Sequence, residues 1–264
     1  MTTVITQNVN RLNNILFPDG DVKSVKAAGV WVFAKEPKTN SYQILMGEMM
    51  KNNPNKQETH IFDKTYSGFS GKSKPNETPI DTAVREFHEE TFSIFGTNDE
   101  VLALIATDTT HVLKNMGWAK YSVATYVIEV EFSNKYIDSF NQFRTSTSEL
   151  QRLKWVPLGQ IWDAIDTYKI KDTTKSWGEY NSSENLSSLF KPLSELYSGV
   201  ELELQKNALK HNLPVIANDN TMIDIADYVA RTFMEYREDL QKLFPVETQE
   251  KKVRKNLVQR LFHL

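Results

Sequence analysis

The chain has 264 residues, 40% hydrophobic and 25% charged, with a formal net charge of −3. That is the balance of a soluble globular protein, long enough for one large domain or for a domain with an added subdomain. The acidity argues against a dedicated nucleic-acid binder, and the lack of cysteine excludes disulfides, thiolate zinc sites and cysteine nucleophiles. The sequence holds no run of eighteen apolar residues and no basic-then-apolar leader at Met1, so a cytoplasmic protein without a membrane span is expected.

In chain order, residues 4–17 predict a short helix ending at the turn cluster Phe17-Pro-Asp-Gly20. Gly29–Ala34 and Tyr42–Met46 read as paired strands joined through Pro37-Lys-Thr-Asn40. A polar loop over 50–58 and a short strand near His60–Asp63 follow. Val101–Ala106, Tyr121–Phe132 and Arg152–Leu158 are expected to be further strands, and Ile161–Tyr168 a helix. Beyond Tyr168 the pattern turns helical. Asp172–Ser183 reads as a polar loop and 184–210 as mostly helix, and Leu213-Pro214 reads as a break. A helix is expected from Asn220-Thr221 to Phe244. Residues 248–264 form a last amphipathic stretch with a basic face of Lys251, Lys252, Arg254, Lys255 and Arg260. Strands around a helix suggest an α/β sandwich.

The most informative stretch runs from Gly71 through Glu77 to Arg85-Glu-Phe-His-Glu-Glu90. Thr78 and Pro79 suit the start of a helix, and Asp81 resembles the far end of a capping box. Ala83, Val84 and Phe87 can then face a core while Glu86 and Glu90 look elsewhere, and Arg85 pairs with Glu89 across one turn. Taken alone, such an acidic run is usually a solvated surface. Three carboxylates within one and a half turns repel one another, and a hard cation such as Mg²⁺, shared with substrate phosphates, turns that repulsion into binding.

This pattern resembles the Nudix box, Gly-x5-Glu-x7-Arg-Glu-U-x-Glu-Glu-x-Gly-U, with U a bulky aliphatic residue. Gly71, Glu77, Arg85, Glu86, Glu89 and Glu90 match it, and Phe87 stands in for U. Six fixed positions recur by chance at roughly one starting point in 10⁷–10⁸. The chain departs at Phe92, where glycine often supplies a left-handed helix exit, and at Ser93, with Ile94 one place on. Phe69-Ser70 replaces the usual Pro-Gly upstream.

The resemblance implies a Nudix-type α/β/α sandwich with a mixed sheet over residues 25–168, preceded by a segment 1–24 and followed by a helical extension 169–264. It implies hydrolysis of a phosphoanhydride with Mg²⁺ or Mn²⁺. Glu86, Glu89 and Glu90 would be the metal ligands, with the Ser70 or Gly71 carbonyl completing the set. Arg85 would orient a carboxylate and Glu77 would hold the loop or helix. Lys72 and Lys74 are candidates to meet a phosphate, and Phe69, Trp118 and Trp177 to stack on a base. Glu149 is the candidate for a distal base or extra ligand, because Glu-x5-Trp155 resembles the mRNA-decapping branch. Asp108, Glu129 and Glu131 are weaker alternatives. His88, His60 and His111 read as structural or surface histidines.

The substrate expected is a nucleoside diphosphate linked to another group, such as a nucleotide sugar or dinucleotide. Two alternatives stay open: hydrolysis of a capped RNA 5′ end, with RNA held on the basic C-terminal helix, and an inactive domain that binds a nucleotide or protein. The extension also leaves a homodimer open.

Overall fold

The computed structural model describes residues 2–17, 25–49, 65–116, 122–146, 148–169 and 213–246. The expected strand at 60–63, the loop at 172–183, the helical stretch at 184–210 and the basic helix at 248–264 lie outside them.

Helix α1 (Thr2–Leu16) leads to strands β1 (Val25–Glu36) and β2 (Ser41–Met49), then short strands β3 (Thr65–Ser67) and β4 (Phe69–Lys72). Helices α2 (Pro79–Glu90) and α3 (Asn98–Ile105) follow, then β5 (His111–Met116), β6 (Ser122–Glu131), α4 (Lys135–Phe143), β7 (Leu150–Pro157) and α5 (Leu158–Lys169). The last described stretch carries β8 (Leu213–Ile216), β9 (Met222–Ile225), α6 (Asp227–Glu235) and α7 (Arg237–Leu243).

The strands form one mixed sheet in the order β5-β6-β1-β2-β3-β9-β8, with β4 paired to β1 and β7 to β2. β1 runs parallel to β6 and antiparallel to β2 and β4. Side chains alternate across a strand, and β1 shows what that does here. Val30, Val32 and Ala34 join α1, α2 and α3 in one core, whereas Trp31 and Phe33 join α5, α6 and α7 in another. The sheet is thus covered on both faces, as in an α/β sandwich. On the second face Phe233 stacks on Trp31 at 4.7 Å and Phe244 on Phe33 at 4.1 Å.

Three expectations are corrected. Val101–Ala106 belongs to a helix, α3, capped by Thr97 with Glu100 reaching back to the cap. Leu213-Pro214 does not break the chain but opens β8. The long helix from Asn220 is instead a hairpin strand, β9, then two short helices that meet at Tyr236. Asn220 has φ +61° and sits in the hairpin turn closed by Ala217 N–H to the Thr221 carbonyl at 2.9 Å. Strands β8 and β9 extend the sheet through β3, with Thr65 and Tyr66 in register with Asp224 and Ile225.

Candidate active site

The acidic helix forms as its sequence dictates. Thr78 caps it, with the Thr78 N–H donating to Asp81 at 3.0 Å and Asp81 N–H to the Thr78 hydroxyl at 3.3 Å. Pro79 occupies the first turn, and Ile80, Ala83, Val84 and Phe87 are buried against the sheet. Phe69 lies fully buried against Phe87, with ring centroids 5.2 Å apart. It is therefore part of the core, and the expectation that it stacks on a substrate is corrected.

Burying that face turns Arg85, Glu86, Glu89 and Glu90 toward a cleft of about 550 Å³. Lys74, Phe92, Thr145, Ser148, Glu149 and Leu150 complete its wall. Glu149 thus shares a cleft with the acidic helix, from which it is 59 residues distant at the nearest point in sequence, Glu90 (149 − 90). Glu149 lies in the bend that leads into β7, exposed between the buried Ser148 and Leu150. Trp155 is buried in the core, where its Nε1–H donates to the Ser133 carbonyl at 3.2 Å.

Arg85 organises the carboxylates. Its Nε and Nη2 grip Glu77 at 2.6 and 2.9 Å, and its Nη1 reaches Glu86 at 2.6 Å and Glu89 at 3.3 Å. Nη2 also donates to the Lys72 carbonyl at 3.0 Å, so one guanidinium ties the loop to the helix. Hydrogen bonding to Arg85 lowers the Glu77 carboxyl to about 2. Glu86 is raised from the ordinary value, first by burial and also by Glu89 and Glu149, against the pull of Arg85. Glu90 is raised well above it, first by burial, then by Glu86 and Glu149, although the Ser70 N–H donates to it.

Three observations fit a divalent cation. Glu90 Oε2 is enclosed and has no hydrogen-bond partner. A Cβ at Gly71 would lie 2.2–2.4 Å from the Glu86 carboxylate, so only glycine leaves that carboxylate its place. The donors are all carboxylates, the ligand type that Mg²⁺ and Mn²⁺ prefer. Among the described residues no three such groups already stand in a ligating cluster, and Arg85 holds both Glu86 and Glu89.

Of the other candidates, Lys74 lines the cleft and faces Glu89 at 3.7 Å. The Lys72 side chain is not part of the cleft wall; its carbonyl serves Arg85 instead. Asp108, Glu129 and Glu131 also lie away from that wall. His88 meets the Ser93 hydroxyl at 2.8 Å, and His111 sits on β5. His60, Trp118 and Trp177 lie outside the described residues. Phe92, Thr145, Ser148 and Leu150 are cleft residues that the sequence pattern did not reveal. Their approach to α2 is a long-range contact with no local signature. Among the described residues, no helix is long and apolar enough to cross a membrane.

No family model matches the chain, and no curated protein matches it as a relative. Solved structures align with it at low identity. A C. elegans Ap4A hydrolase binary complex is 18% identical over 65% of this chain and 97% of its own, with a TM-score of 0.33. A MutT/nudix family protein from Enterococcus faecalis is 10% identical over 50% and 44%, with a TM-score of 0.33. The T. brucei MERS1 protein in its apo form is 10% identical over 52% and 59%, with a TM-score of 0.34. At such identities and scores nothing about substrate passes from those proteins to this one.

Proposed function

We propose that the chain is a Nudix-type hydrolase that cleaves a phosphoanhydride bond in a nucleoside diphosphate linked to another group, such as a nucleotide sugar or dinucleotide. The observation that carries this reading is the meeting of Glu86, Glu89, Glu90 and Glu149 around one cleft. A binding module has little use for such mutual repulsion, whereas a metal-dependent hydrolase needs it.

Glu86, Glu89 and Glu90 would hold Mg²⁺ or Mn²⁺, with the Gly71 carbonyl beside them. A cation bound there supplies charge neutralisation of the diphosphate and a water of lowered pKa. The remaining work falls to the chain. Arg85 fixes Glu86 and Glu89 in place, and through Glu77 it fixes the loop. Lys74, at the rim, meets substrate phosphate. Glu149 is the group that accepts a proton from the attacking water.

The test is product analysis with Mg²⁺ or Mn²⁺ and a panel of ADP-ribose, NADH, diadenosine polyphosphates, nucleoside triphosphates and capped RNA. Turnover of one substrate, abolished by Glu90→Gln, supports the reading and names the subclass. Near-normal turnover by Glu149→Gln would remove Glu149 from the catalytic set. Failure of the whole panel would favour a binding domain.

A further inference from the structure

The helix that carries the carboxylates leaves through two residues in the left-handed region, Phe92 at φ +53° and Ser93 at φ +59°. The Phe92 N–H bonds to the Glu89 carbonyl at 3.3 Å and the Ser93 N–H to the His88 carbonyl at 3.0 Å. These are the two bonds of a Schellman ending, made here without glycine. A side chain in that region is sterically costly, and glycine would remove the cost. Something must favour the ring.

Its surroundings show what does. The Phe92 ring lies 5.3 Å, centroid to centroid, from that of Phe140, which is fully buried on α4. Phe95, three residues on, stacks on Tyr136 of the same helix at 4.4 Å. Helix α4 ends at Phe143 and passes through Arg144 into a tight turn. In that turn the Thr145 N–H donates to the Ser148 hydroxyl at 2.8 Å and the Ser148 N–H to the Thr145 carbonyl at 3.2 Å. Glu149 comes next. The Phe92 ring also lines the cleft beside Glu86, Glu89, Glu90 and Glu149. One side chain therefore joins the end of the acidic helix to the element that places the distal carboxylate.

We infer that Phe92 is a positioning residue that sets Glu149 against the carboxylates of α2 by docking α4 onto the helix exit. The inference rests on the reading of Glu149 as part of the catalytic set. Glycine at this place would give an easier exit but remove the Phe92–Phe140 contact, leaving the Phe95–Tyr136 stack to hold α4.

The experiment compares Phe92→Gly, Phe92→Tyr, Glu149→Gln and the Phe92→Gly/Glu149→Gln double variant in the full chain. Phe92→Asn, which also tolerates the left-handed region, replaces Phe92→Gly if the latter does not fold. Phe92→Gly is expected to lower kcat by about tenfold or more with little change in KM. Phe92→Tyr should restore most of it. In the Glu149→Gln background, Phe92→Gly should cost less than about twofold, because the group it positions is gone. Hydrogen exchange across residues 144–150 should quicken in Phe92→Gly, and this readout does not depend on turnover. Independent, multiplicative losses in the double variant would overturn the inference, as would unchanged exchange in that segment. If the wild-type chain turns over nothing, the proposed function fails by itself, and the exchange measurement alone decides the role of Phe92.

Discussion

Arg85 and Glu77 are joined by two parallel hydrogen bonds, Nε to Oε1 at 2.6 Å and Nη2 to Oε2 at 2.9 Å. Glu77 also accepts from the Lys74 N–H at 2.8 Å and the Thr82 hydroxyl at 3.1 Å. These bonds favour its charged form and lower its carboxyl to about 2. A lowered folded pKa contributes stability that is present above the usual carboxylate range and is lost as pH falls toward 2. Glu77→Gln should therefore cost about 1–2 kcal/mol at neutral pH, after allowance for solvent screening. The difference from wild type should shrink steadily between pH 4.5 and 2. Urea unfolding at several pH values reads both, and a pH-independent difference would refute the charge argument.

Glu90 carries the opposite sign. Burial raises its carboxyl, so the folded protein takes up that proton more readily than the unfolded chain. Ionised Glu90 then costs stability, and the cost grows as pH rises above the usual carboxylate range. Its Oε2 has no partner. Glu90→Gln removes the charge and offers an amide donor toward Glu86 and Glu149. In EDTA at pH 7 the variant should be more stable than wild type, by on the order of 1 kcal/mol. Mn²⁺ should raise the melting temperature of wild type and not of the variant. A variant that melts lower than wild type in EDTA would show that the charge is compensated in another way.

Much of this was legible in the sequence because it is local. The Thr78 cap, Pro79 and the spacing of Ala83, Val84 and Phe87 define α2 from residues close together in the chain. The hairpin of β1 and β2 follows from two apolar runs around Pro37-Lys-Thr-Asn40. The α3 error has a plain cause. Val-Leu-Ala-Leu-Ile is a short apolar run whose period does not separate strand from buried helix. The signal that decides it was upstream, in Thr97 and Glu100, which form a capping box. Glu149, a candidate because Glu-x5-Trp155 resembles the decapping branch, lines the cleft. Phe92 was visible only as a missing glycine, since its partner Phe140 lies on another element. Contacts of that kind leave no periodic trace in the chain.

Gly71→Ala tests the place made for Glu86. The added Cβ would fall 2.2–2.4 Å from the carboxylate atoms of Glu86, which must move. Gly71 has no left-handed φ, so the backbone itself tolerates alanine. Turnover should fall by roughly 10²-fold, the scale expected of a displacement near 1 Å at a reacting centre. The far-ultraviolet circular dichroism should stay that of wild type. A fully active Gly71→Ala would mean that Glu86 functions from another rotamer.

Tyr228 extends the site to the last described stretch of the chain. It stands in the first turn of α6, and its hydroxyl meets the side chains of Ser67 and Ser70. With Ser70 and Phe69 of β4 it lines a small cavity. Ser70 in turn donates its N–H to Glu90. A hydroxyl on the hairpin-and-helix unit thus steadies the backbone that steadies a carboxylate. Tyr228→Phe keeps the ring and deletes that hydroxyl. The change should cost about 1 kcal/mol of stability, the worth of one ordinary hydrogen bond. It should also weaken Mn²⁺ binding about tenfold, the lower end for outer partners of metal-holding groups. Electron paramagnetic resonance of free Mn²⁺ during titration measures the second effect without any substrate. Lost stability with unaltered Mn²⁺ binding would mean that Ser70 keeps its place unaided, and that residues 213–246 support the sheet without reaching the site.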